Sequence, residues 1–93
     1  MSIFSVEWTP QAWEAHEAYA LGLQIEFGTD TMMDYLRLID EAAAFIANHA
    51  LAGSPTISQV PDRRVKLTSQ KQYQVHYDFD PVAGKSVIVA VFK

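Results

Sequence analysis

The sequence contains no cysteine. That excludes a disulfide framework and any thiolate metal site. Its three histidines, His16, His49 and His76, lie on separate segments. No two of them have the HExxH spacing that sets a pair of imidazoles on one helix face, so no metal site is expected. A glycine-rich phosphate loop and a Gly-x-Ser-x-Gly elbow are both missing, which leaves nucleotide hydrolysis and serine-esterase chemistry without a basis. No apolar run approaches the length needed to cross a bilayer. The opening MSIFSVEW has no basic leader of the signal-peptide kind. The expectation is a cytoplasmic protein that meets no membrane and carries no cofactor.

Basic residues are almost absent from the first half. Residues 1–50 hold eight acids (Glu7, Glu14, Glu17, Glu26, Asp30, Asp34, Asp40, Glu41) and one base, Arg37. Residues 51–93 hold six bases and three acids, so balances of -7 and +3 give the net -4. An acidic first half repels nucleic acid, and an anionic partner is expected to meet the second half.

The 93 residues are 49% hydrophobic and 19% charged, the balance of one small globular domain with a thin stability margin. No repeat, linker or low-complexity segment divides the chain. Residues 3–8 read as a short strand, with Phe4, Val6 and Trp8 on one side and Ser5 and Glu7 on the other. Thr9 is an N-cap residue and Pro10 suits the first helical position, so a helix is expected from Pro10 to about Phe27, stopped by Gly28. Its buried stripe reads as Trp13, His16, Ala20, Leu23 and Phe27. Gly22 weakens it by about 1 kcal/mol relative to Ala and suggests the close approach of a neighbour. Thr29 or Asp30 caps a second helix to about Ala50. Its inner face reads as Met32, Tyr35 or Leu36, Ile39, Ala43, Ile46 and Ala50. The short break at Gly28 makes the two an antiparallel hairpin.

Residues 52–62 are a Gly-, Ser- and Pro-rich loop. Three strands follow. In Arg64–Thr68, Val65 and Leu67 alternate with Arg64 and Lys66. In Gln72–Asp80, Tyr73, Val75, Tyr77 and Phe79 alternate with Gln72, Gln74, His76 and Asp78, the clearest period of two in the chain. After a turn over 80–85, Ser86–Phe92 is apolar on both faces, as a central or covered strand is. The short loops make a meander. The fold class is α+β, in the order β-α-α-β-β-β, with the hairpin on one face of a mainly antiparallel sheet.

Trp8-Thr9-Pro10, Ala12-Trp13 and Glu26-Phe27-Gly28, followed by Arg63-Arg64-Val65-Lys66-Leu67, Tyr73-Gln74-Val75-His76-Tyr77 and Val87 to Phe92, resemble the RelE/ParE toxin superfamily over almost the whole chain and in the same order. The resemblance implies a toxin of a toxin–antitoxin (plasmid stabilisation) system, neutralised by a cognate antitoxin. RelE-like members cleave messenger RNA on the ribosome, and ParE-like members act on DNA gyrase. Fold alone does not choose between them.

RNA cleavage of the RelE kind needs cations and acid–base groups converging on one sheet face. The alternation sets Arg64, Lys66, Gln74 and His76 outward, opposite Val65, Leu67, Tyr73, Val75 and Tyr77. His76, Lys66 and Arg64 are therefore the candidate catalytic residues. Against that role, the strand position that is commonly Arg in RNA-cleaving members is Gln74. The basic and aromatic element those members carry after the last strand has no counterpart before the sequence closes at Lys93. The net charge is also negative. Arg63, Arg64, Lys66, Gln74 and His76 are accordingly read first as target- or antitoxin-binding residues, with Lys71 as a further surface cation. His16 reads as a buried, hydrogen-bonded histidine, and Trp8, Trp13, Tyr19 and Phe27 as core. Three readings stand in order: a ParE-like toxin acting by binding, a RelE-like endoribonuclease, and a non-toxic binding module of the same fold. A strand edge left open could also pair two copies into a homodimer.

Overall fold

The computed structural model describes residues 5–49, 54–55, 63–69, 72–80 and 82–93. Phe4, Ala50, Lys71 and most of the 52–62 loop lie outside them. Strand β1 (Ser5–Trp8) leads into helix α1 (Pro10–Phe27) and helix α2 (Thr29–His49). Strands β2 (Ser54–Pro55), β3 (Arg63–Leu67), β4 (Gln74–Asp80) and β5 (Lys85–Phe92) follow. The sheet order is β1-β5-β4-β3-β2. The two-residue β2 pairs with β3 inside the stretch expected to be loop throughout.

Local chemistry sets the element ends. Ala12 N–H donates to Thr9 Oγ1 at 3.1 Å, and Pro10 occupies the first turn, where its missing N–H costs nothing. Gly28, at φ 98°, ends α1 by donating its N–H to the Gln24 carbonyl. Its own carbonyl then accepts from Met32 N–H in the first turn of α2. A single residue therefore serves both helices, and the hairpin is tight. At the other end of the sheet, Asp80 Oδ1 accepts from the N–H groups of Val82 and Ala83 and closes the β4–β5 turn. The β3–β4 connection is closed by Thr68, whose N–H donates to the Tyr73 carbonyl and whose Oγ1 accepts from Tyr73 N–H.

Strands β3, β4 and β5 are antiparallel, while β1 runs parallel to β5 with Ser5 opposite Lys85 and Trp8 opposite Ile88. A parallel neighbour needs a long connection, and the chain supplies it through the helical hairpin and then β2, β3 and β4 before returning as β5. The core lies between that hairpin and one sheet face. Tyr77, Ile39, Ile46, Ile88 and Val75 are fully buried there, each contributing about 1.5–3 kcal/mol by burial. Val6 and Trp8 of β1 pack against the same cluster, as the alternation in that strand predicts.

The expected helical stripes hold in part: His16 and Ala20 of α1 are buried and Leu23 packs against the core. In α1 the buried residues are Ala12, His16 and Ala20, while Trp13 is 46% and Phe27 62% exposed. The cause is that α1 carries apolar residues around its whole circumference, with Leu21 and Ile25 also exposed. Periodicity alone then fails to single out the packed face. In α2, Tyr35, Ile39 and Ile46 are buried as expected, and Leu38 and Ala42 join them. Gly22 has open space where a Cβ would stand, so no close neighbour within the described chain explains it.

Ser86 is fully buried on the core face of β5, and its hydroxyl has no hydrogen-bond partner among the described residues. An unsatisfied buried hydroxyl costs about 1–3 kcal/mol. The Ser86→Ala variant is expected to be more stable by roughly 1 kcal/mol, seen as a rise of about 4–8 °C in the thermal midpoint. A fall in that midpoint would show that the hydroxyl is satisfied.

Candidate functional site

Residues directly opposite each other in an antiparallel pair share a sheet face. Tyr77 and Val75 are fully buried under the helices, and their partners on β3 are Arg64 and Lys66. Arg64 and Lys66 therefore belong to the helix-covered side, not to the open face expected for them. Lys66 confirms this placement, since its Nζ lies 4.1 Å from the centre of the Phe45 ring on α2. At the margin of the sheet a long basic side chain can lay its stem along the helix and keep its charge in water. The strand motif reads the other way round because β3 exposes Val65 and Leu67 on the open side.

That open face is built from alternate residues of four strands. β4 contributes Gln74, His76 and Asp78; β3 contributes Arg63, Val65 and Leu67 opposite them. β5 contributes Val87, Ala90 and Phe92, and β1 contributes Glu7. A bulge separates the two halves of the β4–β5 ladder. His76 pairs with Ala90 and Tyr77 with Ile88, which leaves Val89 without an opposite residue. Past the bulge the alternation resumes on the correct faces, so Phe92 stands on the open side beside His76, ring centres 4.8 Å apart, edge to face.

Of the five residues expected to bind a target or antitoxin, the open face gathers Arg63, Gln74 and His76 and separates them from Arg64 and Lys66. The charges on it are already engaged. Arg63 donates from Nε and Nη2 to both oxygens of Asp78, the latter contact at 3.2 Å. Lys85 Nζ reaches Glu7 at 3.4 Å. His76 Nε2 lies 3.2 Å from Gln74 Oε1, an oxygen that accepts the proton of that ring nitrogen. Burial against the sheet and the nearby Arg63 guanidinium lower the His76 pKa below its ordinary 6.5. The imidazole is therefore neutral near pH 7. It could accept a proton, yet its hydrogen-bond partner is an amide, and the Asp78 carboxylate and Arg63 guanidinium on the same face are paired with each other. What the face does offer is a polar middle row on β4 (Gln74, His76, Asp78) flanked by apolar side chains, Val65 and Leu67 on β3 and Val87, Ala90 and Phe92 on β5. Phe92 is 52% exposed. Sequence reasoning missed the apolar members because a strand apolar on both sides gives no sign of which residues face water.

A second cluster lies under the helices. His16 is buried, with its Nδ1 2.8 Å from the Tyr35 hydroxyl and its ring 4.8 Å from that of Trp8. The Tyr19 and Tyr73 hydroxyls are 3.2 Å apart. Burial raises the Tyr35 pKa and pushes that of Tyr73 up to about 12, so both stay protonated donors. His16 is the buried, hydrogen-bonded histidine expected from its place in the helix. Among the described residues no three His, Asp or Glu side chains gather as metal ligands. No helix among them is long and apolar enough to cross a membrane.

No protein-family model and no curated protein matches the sequence. Solved structures do match. A chain of the chromosomal ParDE TA system from P. aeruginosa superposes with a TM-score of 0.77 at 16% identity, covering 98% of this chain and 96% of that one. The isolated E. coli RelE toxin superposes with a TM-score of 0.56 at 11% identity, covering 97% and 83%. The fold is therefore that of the RelE/ParE toxins, two helices on one face of a mixed sheet, as the sequence resemblance implied.

The buried histidine sets a pH dependence. Burial lowers the His16 pKa below 6.5, against an opposing pull from Asp40 and Glu17. The unfolded chain then binds a proton more readily than the folded one. The stability tied to His16 is fully present above the unfolded value of 6.5 and is lost as pH falls through the lower folded value. In an NMR titration His16 and His76 are expected to give midpoints below 6.5. Denaturant midpoints are expected to fall between about pH 7.5 and pH 5.5. A His16 midpoint above 6.5 would refute its burial beside Tyr35.

Proposed function

We propose that the chain is the toxin of a type II toxin–antitoxin pair, ParE-like, which acts in the cytoplasm by binding a target such as DNA gyrase and is silenced by a cognate antitoxin. The observation that carries this reading is the near end-to-end superposition on a chain of a ParDE TA system. The electrostatics support action by binding over catalysis. Phosphodiester cleavage by a neighbouring hydroxyl needs a base, an acid and charge stabilisation within reach of one phosphate. Here Lys66 and His76 stand on opposite sides of the sheet, and Arg63 is tied to Asp78. The open face instead suits a protein partner, since it sets exposed apolar side chains of β3 and β5 beside hydrogen-bonding groups of β4 and its ion pairs are already made. In this reading Arg63, Gln74 and His76 contact one partner across the open face. Arg64 and Lys66 contact a partner, antitoxin or target, that reaches the helix-covered margin.

A RelE-like endoribonuclease is the competing reading. It is favoured by the second superposition and by a neutral His76. Induction of the chain alone is expected to arrest growth, and co-expression with the polypeptide encoded beside its gene is expected to restore it. Pure protein at saturation is expected to inhibit gyrase supercoiling. His76→Ala is expected to leave that inhibition within about threefold, as for one contact among several. Cleavage of translated messages in primer extension, abolished by His76→Ala, would replace the gyrase reading with the endoribonuclease one. Normal growth on strong induction would leave a non-toxic binding module.

A further inference from the structure

Strand β1 accompanies β5 only as far as Ile88. Thr9 N–H donates to the Ile88 carbonyl at 3.0 Å, and at Pro10 the chain turns into α1. β5 continues to Phe92, paired with β4 on its other side up to the Phe92–Gln74 pair. Residues 89–92 thus have one edge in the ladder and, among the described residues, one edge with no strand beside it. The bulge at Val89 falls where β1 departs.

That edge borders a cavity of about 350 Å³, the volume of a small binding cleft. Its far wall is α1, through Ala12, Ala15 and Tyr19, and Tyr73 is among its lining residues. On the strand side it is lined by Val89, Ala90, Val91, Phe92 and Lys93 in unbroken succession. Side chains of a strand alternate between faces, so consecutive residues line one cavity only where the backbone edge itself borders it. The tyrosine hydroxyls nearby are engaged, Tyr19 with Tyr73 and Tyr35 with His16. Besides the side chains of Gln11 and Lys93, the polar groups left to a ligand are strand N–H and C=O groups at regular spacing, between apolar walls. An extended peptide satisfies both features, whereas a small hydrocarbon would cover those backbone groups without pairing them.

We propose that the cleft between α1 and the 89–92 edge of β5 is a strand-addition site, which takes an extended segment of a protein partner about four residues long. The segment lies where β1 would run if it continued, and seats an apolar side chain against Ala12, Ala15 and Tyr19. The inference stands on the edge and the cavity alone and does not rest on the toxin reading.

The test uses the full-length chain, uniformly ¹⁵N-labelled, and a library of capped seven-residue peptides with Val, Ile or Phe at alternate positions and Thr or Lys between them. Members of the library are expected to shift the amide resonances of Val89–Phe92 and to slow their hydrogen exchange about tenfold. Methylating alternate backbone nitrogens of a bound peptide is expected to weaken it at least about tenfold, because the side chains remain and the ladder does not. Ala15→Trp, on an exposed position of α1, is expected to fill the cleft and lose binding to the same degree with the thermal midpoint kept. If that variant unfolds, Ala15→Lys serves the same purpose. Equal binding by the methylated peptide would replace strand addition with an apolar ligand pocket. Shifts confined to β1 or β3 would move the site elsewhere. Concentration-dependent protection of residues 89–92 without peptide would assign the edge to a second copy. Absence of any shift at millimolar peptide would end the proposal.

Discussion

The burial of Val75, Tyr77 and Ile88 beneath Ile39 and Ile46 governs the whole arrangement. A strand has only two sides, and committing these residues to the helices decides the orientation of every neighbour in the ladder. The register between β3 and β4 passes that decision on to Arg64 and Lys66, and the β4–β5 register passes it on to Val87 and Phe92. A slip of one residue would exchange the two faces. The composition of the open face is thus a by-product of core packing, which is why it departs from what polarity alone suggests.

The readable parts of the chain are those where one strong local rule acts unopposed. Thr9-Pro10 and Gly28 bracket α1 because capping and positive φ are decided within a few residues. The β4 alternation is correct because that strand is central and one-sided. The failures share a cause. In β3, near the margin of the sheet, Lys66 lays its alkyl stem toward Phe45 while Val65 stays half-exposed, so hydrophobicity ceases to report direction. In α1, Trp13, Leu21, Ile25 and Phe27 are apolar but exposed, so the packed side is chosen by the fit of small Ala12 and Ala20 and not by total apolarity. For the candidate site, Gln74 and His76 were legible from alternation. Arg63, with its link to Asp78, required the register.

Electrostatics separate the two sides of the molecule. The helices carry the acids Glu14, Glu17, Glu26, Asp30, Asp34, Asp40 and Glu41 against the single base Arg37, which itself pairs with Glu41 at 3.0 Å. Such an exposed pair contributes little to stability. The sheet carries most of the cations, and the ones on its open face are neutralised in place by Asp78 and Glu7. The open face therefore presents paired charges beside exposed apolar side chains. Long-range attraction of a polyanion has little to act through on either side.

The parallel pairing of β1 with β5 has a consequence for the order of assembly. Ser5 and Lys85 are neighbours in space at nearly opposite ends of the chain. Closing so long a loop is entropically costly and is repaid only when the strands between are in place. The hairpin and the β3–β4–β5 meander rest on local contacts and can form early. The N-terminal strand, by contrast, has no ladder to join until the last strand has left the ribosome. During synthesis the polypeptide therefore holds its helices while its sheet is still incomplete, and the finished form is acquired in one late step.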